Sequence, residues 1–341
     1  MSMRMKAPRA RHASAQAEAA MVGAMARLGD LTVTTSRDAE GVAAATRGYA
    51  IGILLAALGV VAFSGRPVLI KLAYGYVTDP VTLIALRMVF AVPFFLAAAL
   101  WARRREGATK LASGDLALVA LLGFLGYYVS SFLDFLGLQY IPAGLGRLLL
   151  FVYPTVVFAL SAIFLKKPVR ARGVVALLVA YLGLALVLSN ALGGERPHFA
   201  LGAGLVFAGA AIYAVYLVAG SHVVHRVGSV RFTAYALSVA SFCAIAQFLV
   251  LRPLAALVLP LPVYAIAIVM ALCCTVLPVF ITAEALRRIG ANRVAMIGAL
   301  GPVSTVLLGY LGLDEAMTPL QLLGGVLVLG GVLLVTLKPQ D

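Results

Sequence analysis

The sequence predicts an all-α polytopic membrane protein of ten transmembrane helices, built as two inverted five-helix repeats, and three observations carry that prediction. Hydrophobic residues make up 63% of the chain and charged residues 12%, with a mean hydropathy of +1.04, whereas soluble globular domains carry roughly 25% charged residues. Apolar runs of about 20 residues, the length that crosses a ~30 Å hydrocarbon core at 1.5 Å rise per residue, recur through the 293 residues after position 48. Finally, the stretch from Ile141 to Leu188 returns 148 positions later: Ile141, Ala143, Pro154, Leu165, Gly183, Leu186 and Val187 reappear as Ile289, Ala291, Pro302, Leu313, Gly331, Leu334 and Val335. Backbone amides cannot stay unpaired in lipid, so the spans are helices or a closed barrel. The continuous Leu, Val, Ala and Gly runs lack the two-residue alternation of a barrel.

Residues 1–47 are rich in Ala, Arg and Ser and carry Arg4, Lys6, Arg9, Arg11, Arg27, Arg37 and Arg47. No apolar run follows the first basic residues, which excludes a secretory signal peptide. A disordered basic cytoplasmic arm is expected here; a transit-peptide-like segment and initiation at Met21 or Met25 are the alternatives. The first span, 50–73, holds Arg66 and Pro67. The second, 80–101, starts at Pro80 and contains Arg87 and Pro93. The third, 115–138, carries Gly123, Gly126 and, near its end, Asp134. The fourth, 142–165, opens on small residues, includes Arg147 and is interrupted by Pro154; the fifth is 172–189. The sixth to tenth are 200–221, with Tyr213 and Tyr216 three apart on one face; 232–251; 263–286, with Pro278 and Glu284; 292–313, with Pro302; and 319–337, rich in Gly. Further matches extend the repeat: Gly52 and Gly59 return as Gly202 and Gly209, and Phe132 and Leu138 as Phe280 and Leu286. The expected halves are 48–190 and 199–338. Five helices per half is an odd number, so the copies must lie in opposite orientations, the plan of alternating-access transporters.

Lys and Arg in short loops set topology. With the N-terminus inside, the inner loops hold Arg103, Arg104, Arg105 and Lys110, then Lys166, Lys167, Arg170 and Arg172, then Arg226 and Arg231, then Arg287 and Arg288, with Lys338 at the C-terminal end; the outer loops hold Arg196 and Arg252. Both termini are therefore expected in the cytoplasm, in a multi-pass protein of the cell (inner or plasma) membrane. Topology, not nucleic acid, accounts for the net charge of +14.

Thr78 to Phe90, Leu138 to Pro154 and Leu313 to Glu315 are three stretches that together resemble the EamA-like families of the drug/metabolite transporter superfamily. Thr78 to Phe90, TDPVTLIALRMVF, looks like that family's second-helix signature, with Arg87 as its Arg just inside an apolar helix. Leu138 to Pro154 is similar to its third-to-fourth helix junction, and Leu313, Asp314 and Glu315 before a Gly-rich last helix resemble its L-x-E ending. The resemblance covers about 50–337 and implies a ten-helix transporter of small metabolites, often an exporter of amino acids or related compounds. The chain departs from the family at Lys166 and Lys167, where a Gly-Glu pair is common.

A charged side chain near the bilayer centre costs about 2.5–3.5 kcal/mol, so such residues face protein or water and are functional candidates. Arg66, Arg87, Asp134 and Arg147 all fall in the outer half of the membrane and are the expected substrate site: Asp134 pairs with one Arg, leaving positive potential for a carboxylate or other anion, which the Arg fork binds bidentately. Snorkelling to the interface or fixed ion pairing is the structural alternative. In the second repeat, Tyr216 aligns with Arg66, Leu237 approximately with Arg87, Thr282 with Asp134 and Ala295 with Arg147, so repeat 1 brings charge and repeat 2 rings and hydroxyls. Tyr213 and Tyr216 are candidates for the cavity wall or for plain packing. Glu284, three and four residues before Arg287 and Arg288, reads first as an ion-pair clamp; with Asp134 it is also a candidate proton carrier. Pro154 and Pro302, at equivalent points of the two halves, are candidate hinges. The glycines Gly123, Gly126, Gly298, Gly301, Gly309, Gly312, Gly324 and Gly325 are expected to let backbones approach.

Cys243, Cys273 and Cys274 lie in apolar spans without metal-ligand spacing, and His222 and His225 have no acidic or Cys partner nearby. No metal, cofactor or catalytic residue is expected. The expected partners are a small-molecule substrate, a coupling proton or counter-substrate, and the lipid bilayer; an assembly of copies stays open. A secondary carrier, with export as the expected direction, is the leading function. With no G-x-x-x-x-G-K-[ST] loop, direct ATP use is not expected. An intramembrane enzyme on an apolar or lipid-linked substrate is the first alternative, though no H-E-x-x-H, G-x-S-x-G or close carboxylate pair supports it; a passive channel is the second.

Overall fold

The computed structural model describes residues 47–105, 112–164, 171–192, 198–298 and 300–336. The chain divides into two units, Met1–Gly52 and Ile53–Asp341; of the first, only the helical residues from 47 onward are described, and the second holds the helix bundle. The expected arm over 1–47 (apart from the helical Arg47 at its end), Lys166 and Lys167, and the side chains of His222 and His225 lie outside the described residues. Among those described there is helix and turn and no strand.

The elements follow from local rules. Helix α1 (Arg47–Tyr74) is interrupted at Gly65 and resumes as Arg66–Tyr74, because Pro67 has no N–H to offer the carbonyl of Phe63. Helix α2 (Pro80–Arg105) starts on a proline and is capped by Asp79, whose Oδ2 accepts from the Thr82 amide (3.1 Å) and hydroxyl (2.5 Å). Helix α3 (Ser113–Gly137) contains a π-helical turn at Phe124–Val129. Helix α4 comes in two pieces, Ala143–Leu150 and Tyr153–Phe164, followed by α5 (Ala171–Leu192). Helix α6 (Phe199–Val227) runs on past its expected end at 221, since a helix need not stop where the hydrocarbon does; Gly228, at φ 86°, ends it. Then come α7 (Ser229–Leu251), α8 (Leu261–Ile289) with a second π turn at Leu272–Val276, α9 (Ala291–Gly298 and Leu300–Leu313) and α10 (Pro319–Thr336). Leu272 stands 148 positions after Phe124, so the π turns obey the same offset as the sequence repeat.

Among the described residues, seven of these helices are long and apolar enough to cross a membrane; α5, α9 and α10 contain the shorter apolar stretches Gly173–Leu188, Leu300–Leu313 and Pro319–Leu334. Helix α5 lies along α10, α2 along α7, α3 and α4 against α6, and α8 and α9 against α1. Small residues make the tightest of these contacts. A Cβ on Gly183 or Gly324 would stand 2.6 Å from the other's carbonyl oxygen, and one on Gly123 would stand 2.5 Å from that of Ala236. Gly298, Gly309, Gly312 and Gly325 depart from the expectation: an added Cβ meets nothing within 4 Å at Gly298 and only side-chain atoms, at ordinary contact distance, at the other three, so no backbone uses their missing side chains.

The largest apolar core draws on both halves: Ile70, Leu83, Leu138, Ile141, Phe199 and Val263 belong to it near the α1–α2 turn, and Val332 of α10 extends it toward the opposite end. Smaller clusters lie at both ends: Val81, Ala85 and Phe248 between α2 and α7 on the α1–α2 side, and, on the other, Val119, Val223 and Phe232 between α3, α6 and α7 and Ala56, Ala285 and Ile289 between α1 and α8.

Candidate functional site

The break in α1 sets the geometry of the charged cluster. It leaves Arg66 at the head of the second piece, and Nη2 of Arg66 donates to Oδ2 of Asp134 on α3 at 2.7 Å, both residues buried. Beside the break, the Thr305 hydroxyl of α9 donates to the Ser64 carbonyl at 2.9 Å, so the second half helps support the interrupted helix.

Phe63, one turn before Arg66, has two guanidiniums against it. The Cζ atoms of Arg66 and of Arg147, on the first piece of α4, each lie 4.8 Å from its ring centroid. Such cation–π contacts contribute about 0.5–2 kcal/mol each. Arg87 of α2 is 1% exposed, and its Cζ lies 4.8 Å from the ring of Phe135, the neighbour of Asp134. Arg87 and Arg147 are each within electrostatic reach of both Arg66 and Asp134. Helix α9 comes close as well: a Cβ on Gly301 would stand 3.0 Å from Nη2 of Arg147.

Three buried cations thus lie within electrostatic reach of one carboxylate, which is bonded to Arg66, and their hydrogen-bonding capacity is not used up. Nε of Arg66, Nε and Nη2 of Arg87, and Nε of Arg147 are buried without a hydrogen-bond partner. A buried polar group left unpaired costs about 1–3 kcal/mol, more when charged. The cluster is therefore a set of preorganised donors with positive potential, suited to an anion.

A wall of tyrosines adjoins it. Tyr213 and Tyr216 stack with ring centroids 5.6 Å apart. Tyr127, inside the first π turn, meets Tyr216 edge-on at 5.0 Å, and Tyr153, just after the break in α4, meets Tyr213 at 5.3 Å. The Tyr216 and Tyr127 hydroxyls are 3.4 Å apart. Tyr153 and Tyr213 lie within electrostatic reach of Arg147, so wall and cluster adjoin at that residue.

Of the residues singled out in the sequence, Arg66, Arg87, Asp134 and Arg147 come together, and Tyr213 and Tyr216 join the wall. Pro154 is the second residue after the α4 break, and Pro302 is buried beside Gly301 in the second piece of α9. Glu284 stands apart: its carboxylate accepts from Arg287 (2.7 and 2.9 Å) and Arg288 (2.6 Å), the clamp that its spacing predicts. Phe63, Tyr127 and Tyr153 were not anticipated, and Gly301 was expected only as a packing glycine, not beside Arg147. Phe63 is three residues before Arg66, a same-face spacing that could have revealed it; the π turn that carries Tyr127 has no local signature.

Polar ties join the two halves at the α1–α2 end. Arg252, after α7, donates Nε and Nη2 to the two carboxylate oxygens of Asp79, each at 2.9 Å. Burial opposes the ionisation of Asp79, but the hydrogen bonds from Arg252 and Thr82 outweigh it and hold the carboxyl below its ordinary range. Glu315, after α9, accepts from the Ala143 amide at the start of α4 (2.7 Å), with Lys71 Nζ at 3.9 Å. At the opposite end Arg226 of α6 meets Asp115 of α3 at 2.9 Å, which also joins the two halves. Among the described residues, no group of three or more His, Cys, Asp or Glu could hold a metal ion.

With this geometry in place, comparison with known proteins identifies the family. The profile of the EamA-like transporter family matches residues 50–189 and again 200–337. The chain is 32% identical over 291 residues to the "Uncharacterized transporter YcbK" of Bacillus subtilis (strain 168), covering 82% of this chain and 90% of that protein. It is 26% identical over 306 residues to the "Uncharacterized transporter sll1319" of Synechocystis sp. (strain ATCC 27184 / PCC 6803 / Kazusa), covering 82% and 91%. A solved structure titled "Crystal structure of protein" superposes with a TM-score of 0.57 at 21% identity, over 84% of this chain and 96% of that one, a likeness of fold. The doubled profile match, the relatives and the long apolar helices agree, and the chain belongs to the EamA-like transporter family of the drug/metabolite transporter superfamily, as a multi-pass membrane transporter.

Proposed function

We propose that this transporter is a secondary-active carrier that moves a small anionic metabolite by alternating access, with Arg66, Arg87 and Arg147 around Asp134 as the anion site and the tyrosines as its wall. One observation carries the reading: three buried guanidiniums lie near a single carboxylate, which bonds Arg66, and all three keep unpaired N–H groups. A transporter that holds charge inside an apolar bundle has a use for it.

The mechanism draws on the pairing of equivalent helices. In this reading α5, α9 and α10 also cross the bilayer, giving ten spans in two inverted halves with both termini in the cytoplasm of an inner or plasma membrane. Packing of α2 on α7 and of α5 on α10, and π turns at the repeat offset, support the inverted plan. Ties join the halves at both ends, Asp79–Arg252 and Glu315–Ala143 at one and Asp115–Arg226 at the other, and alternating access would break them in turn. Export, with a proton or counter-substrate as the coupled species and Asp134 as the buried acid, completes the proposal.

Reconstituted vesicles test it. Saturable, trans-stimulated flux of an anion that falls to background in Arg87→Ala, while the variant keeps its melting transition, is the expected result. Turnover without translocation would favour an enzyme, and non-saturating flux a channel.

A further inference from the structure

We infer that the charge balance of the Arg66, Arg87, Asp134 and Arg147 cluster selects a dianion, such as a dicarboxylate or a phosphate, over monoanions and zwitterionic amino acids. This rests on the anion-site reading and adds the charge of the substrate to it.

A guanidinium stays protonated in proteins, so three arginines and one aspartate carry two positive charges in excess. The other acids among the described residues do not reach the cluster to cancel them. Asp79 is held by Arg252, Asp115 by Arg226, and Glu284 by Arg287 and Arg288; Glu315 caps α4, and Asp314 is exposed in a left-handed turn at φ 52°. Asp134 is the acid within electrostatic reach of Arg87 and Arg147, and its Oδ2 is already bonded to Arg66.

The two remaining cations sit on different helices and against different rings, Arg87 beside Phe135 and Arg147 beside Phe63. Each keeps buried donors without a partner, two on Arg87 and one on Arg147. Unbalanced charge is expensive in a low-dielectric site. A zwitterion brings no net charge and leaves the excess at two; a monoanion leaves one. A dianion neutralises the cluster and offers acceptors to both forks.

The test uses the full-length protein, by thermal stabilisation in detergent and by counterflow in proteoliposomes, with succinate, inorganic phosphate, acetate and alanine at matched ionic strength. At least one of succinate and phosphate is expected to stabilise the protein and to exchange about tenfold better than acetate or alanine, a ratio matching the loss of one charge-assisted hydrogen bond. Whichever of the two does so separates the dicarboxylate source from the phosphate source. Arg87→Gln and Arg147→Gln should each lower the dianion-to-acetate ratio about tenfold. The variants alter different helices, and a retained melting transition in either one is enough to read the ratio. Acetate exchange that depends on Arg87 and equals or exceeds both dianions would overturn the dianion and leave the anion site standing. Exchange of alanine that survives both Arg variants would overturn both readings, and a lack of stabilisation by either dianion would overturn the charge assignment.

Discussion

At the scale of single residues, Asp134 is the position on which the buried charges depend. Asp134→Asn removes the counter-charge of Arg66 in a site 2% exposed, and losing one member of a buried pair costs about 3–5 kcal/mol. A clear fall in melting temperature is expected, whereas Arg66→Met combined with Asp134→Leu should restore much of it without restoring transport. Gly301 gives a subtler test. The Cβ of Gly301→Ala would press on the tip of Arg147, 3.0 Å away, and a flexible tip can yield. Vesicle kinetics should then show a raised KM with an almost unchanged melting temperature. Arg87 and Arg147 were recognisable from sequence as charges within apolar runs. Phe63 as the shared neighbour of Arg66 and Arg147 was legible only in part: its same-face spacing from Arg66 lies in the sequence, its contact with Arg147 does not.

The interrupted helices decide how the elements meet. The proline at 67 predicts a break in α1, and the structure uses that break to aim Arg66 at α3. The π turns in α3 and α8 were not legible, since an extra residue in a turn leaves the apolar composition unchanged; such turns are frequent at functional sites. In the first, Gly126 admits the Tyr216 ring: the Cβ of Gly126→Ala would lie 2.2 Å from its Cγ. Overpacking of this kind costs about 1–3 kcal/mol, and thermal melts of Gly126→Ala should show that loss together with displaced tyrosines, read as a change in near-ultraviolet circular dichroism. The Asp79–Arg252 tie between α2 and α7 has a defined pH response. The folded carboxyl titrates below its ordinary value, so the tie is intact above the unfolded value and weakens only as pH falls through the lower, folded one. Thiol labelling of a cysteine introduced beneath this tie, taken relative to the same cysteine in the unfolded protein at each pH because the thiolate is the reactive form, should therefore be the same at pH 8 and pH 6, and should rise in Arg252→Gln at both.

Across the whole molecule, the proposed ten spans would return both termini to one side. Reporter fusions at each terminus, with labelling of Asp79→Cys and Asp115→Cys, check this. The termini and position 115 are expected on the cytoplasmic side and position 79 outside, following the Lys and Arg bias of the loops. Composition and hydropathy were enough for the helices and nearly all of their ends, because lipid leaves an unpaired backbone no alternative and so makes secondary structure a local property of the chain. The 148-residue offset and the charges inside the apolar runs were equally plain. Only the tertiary structure decided that Arg66 takes Asp134, that Phe63 lies against two guanidiniums, and that Tyr127 and Tyr153 join Tyr213. Those outcomes depend on the depth and rotation of each helix against its neighbours, quantities that no stretch of sequence holds by itself.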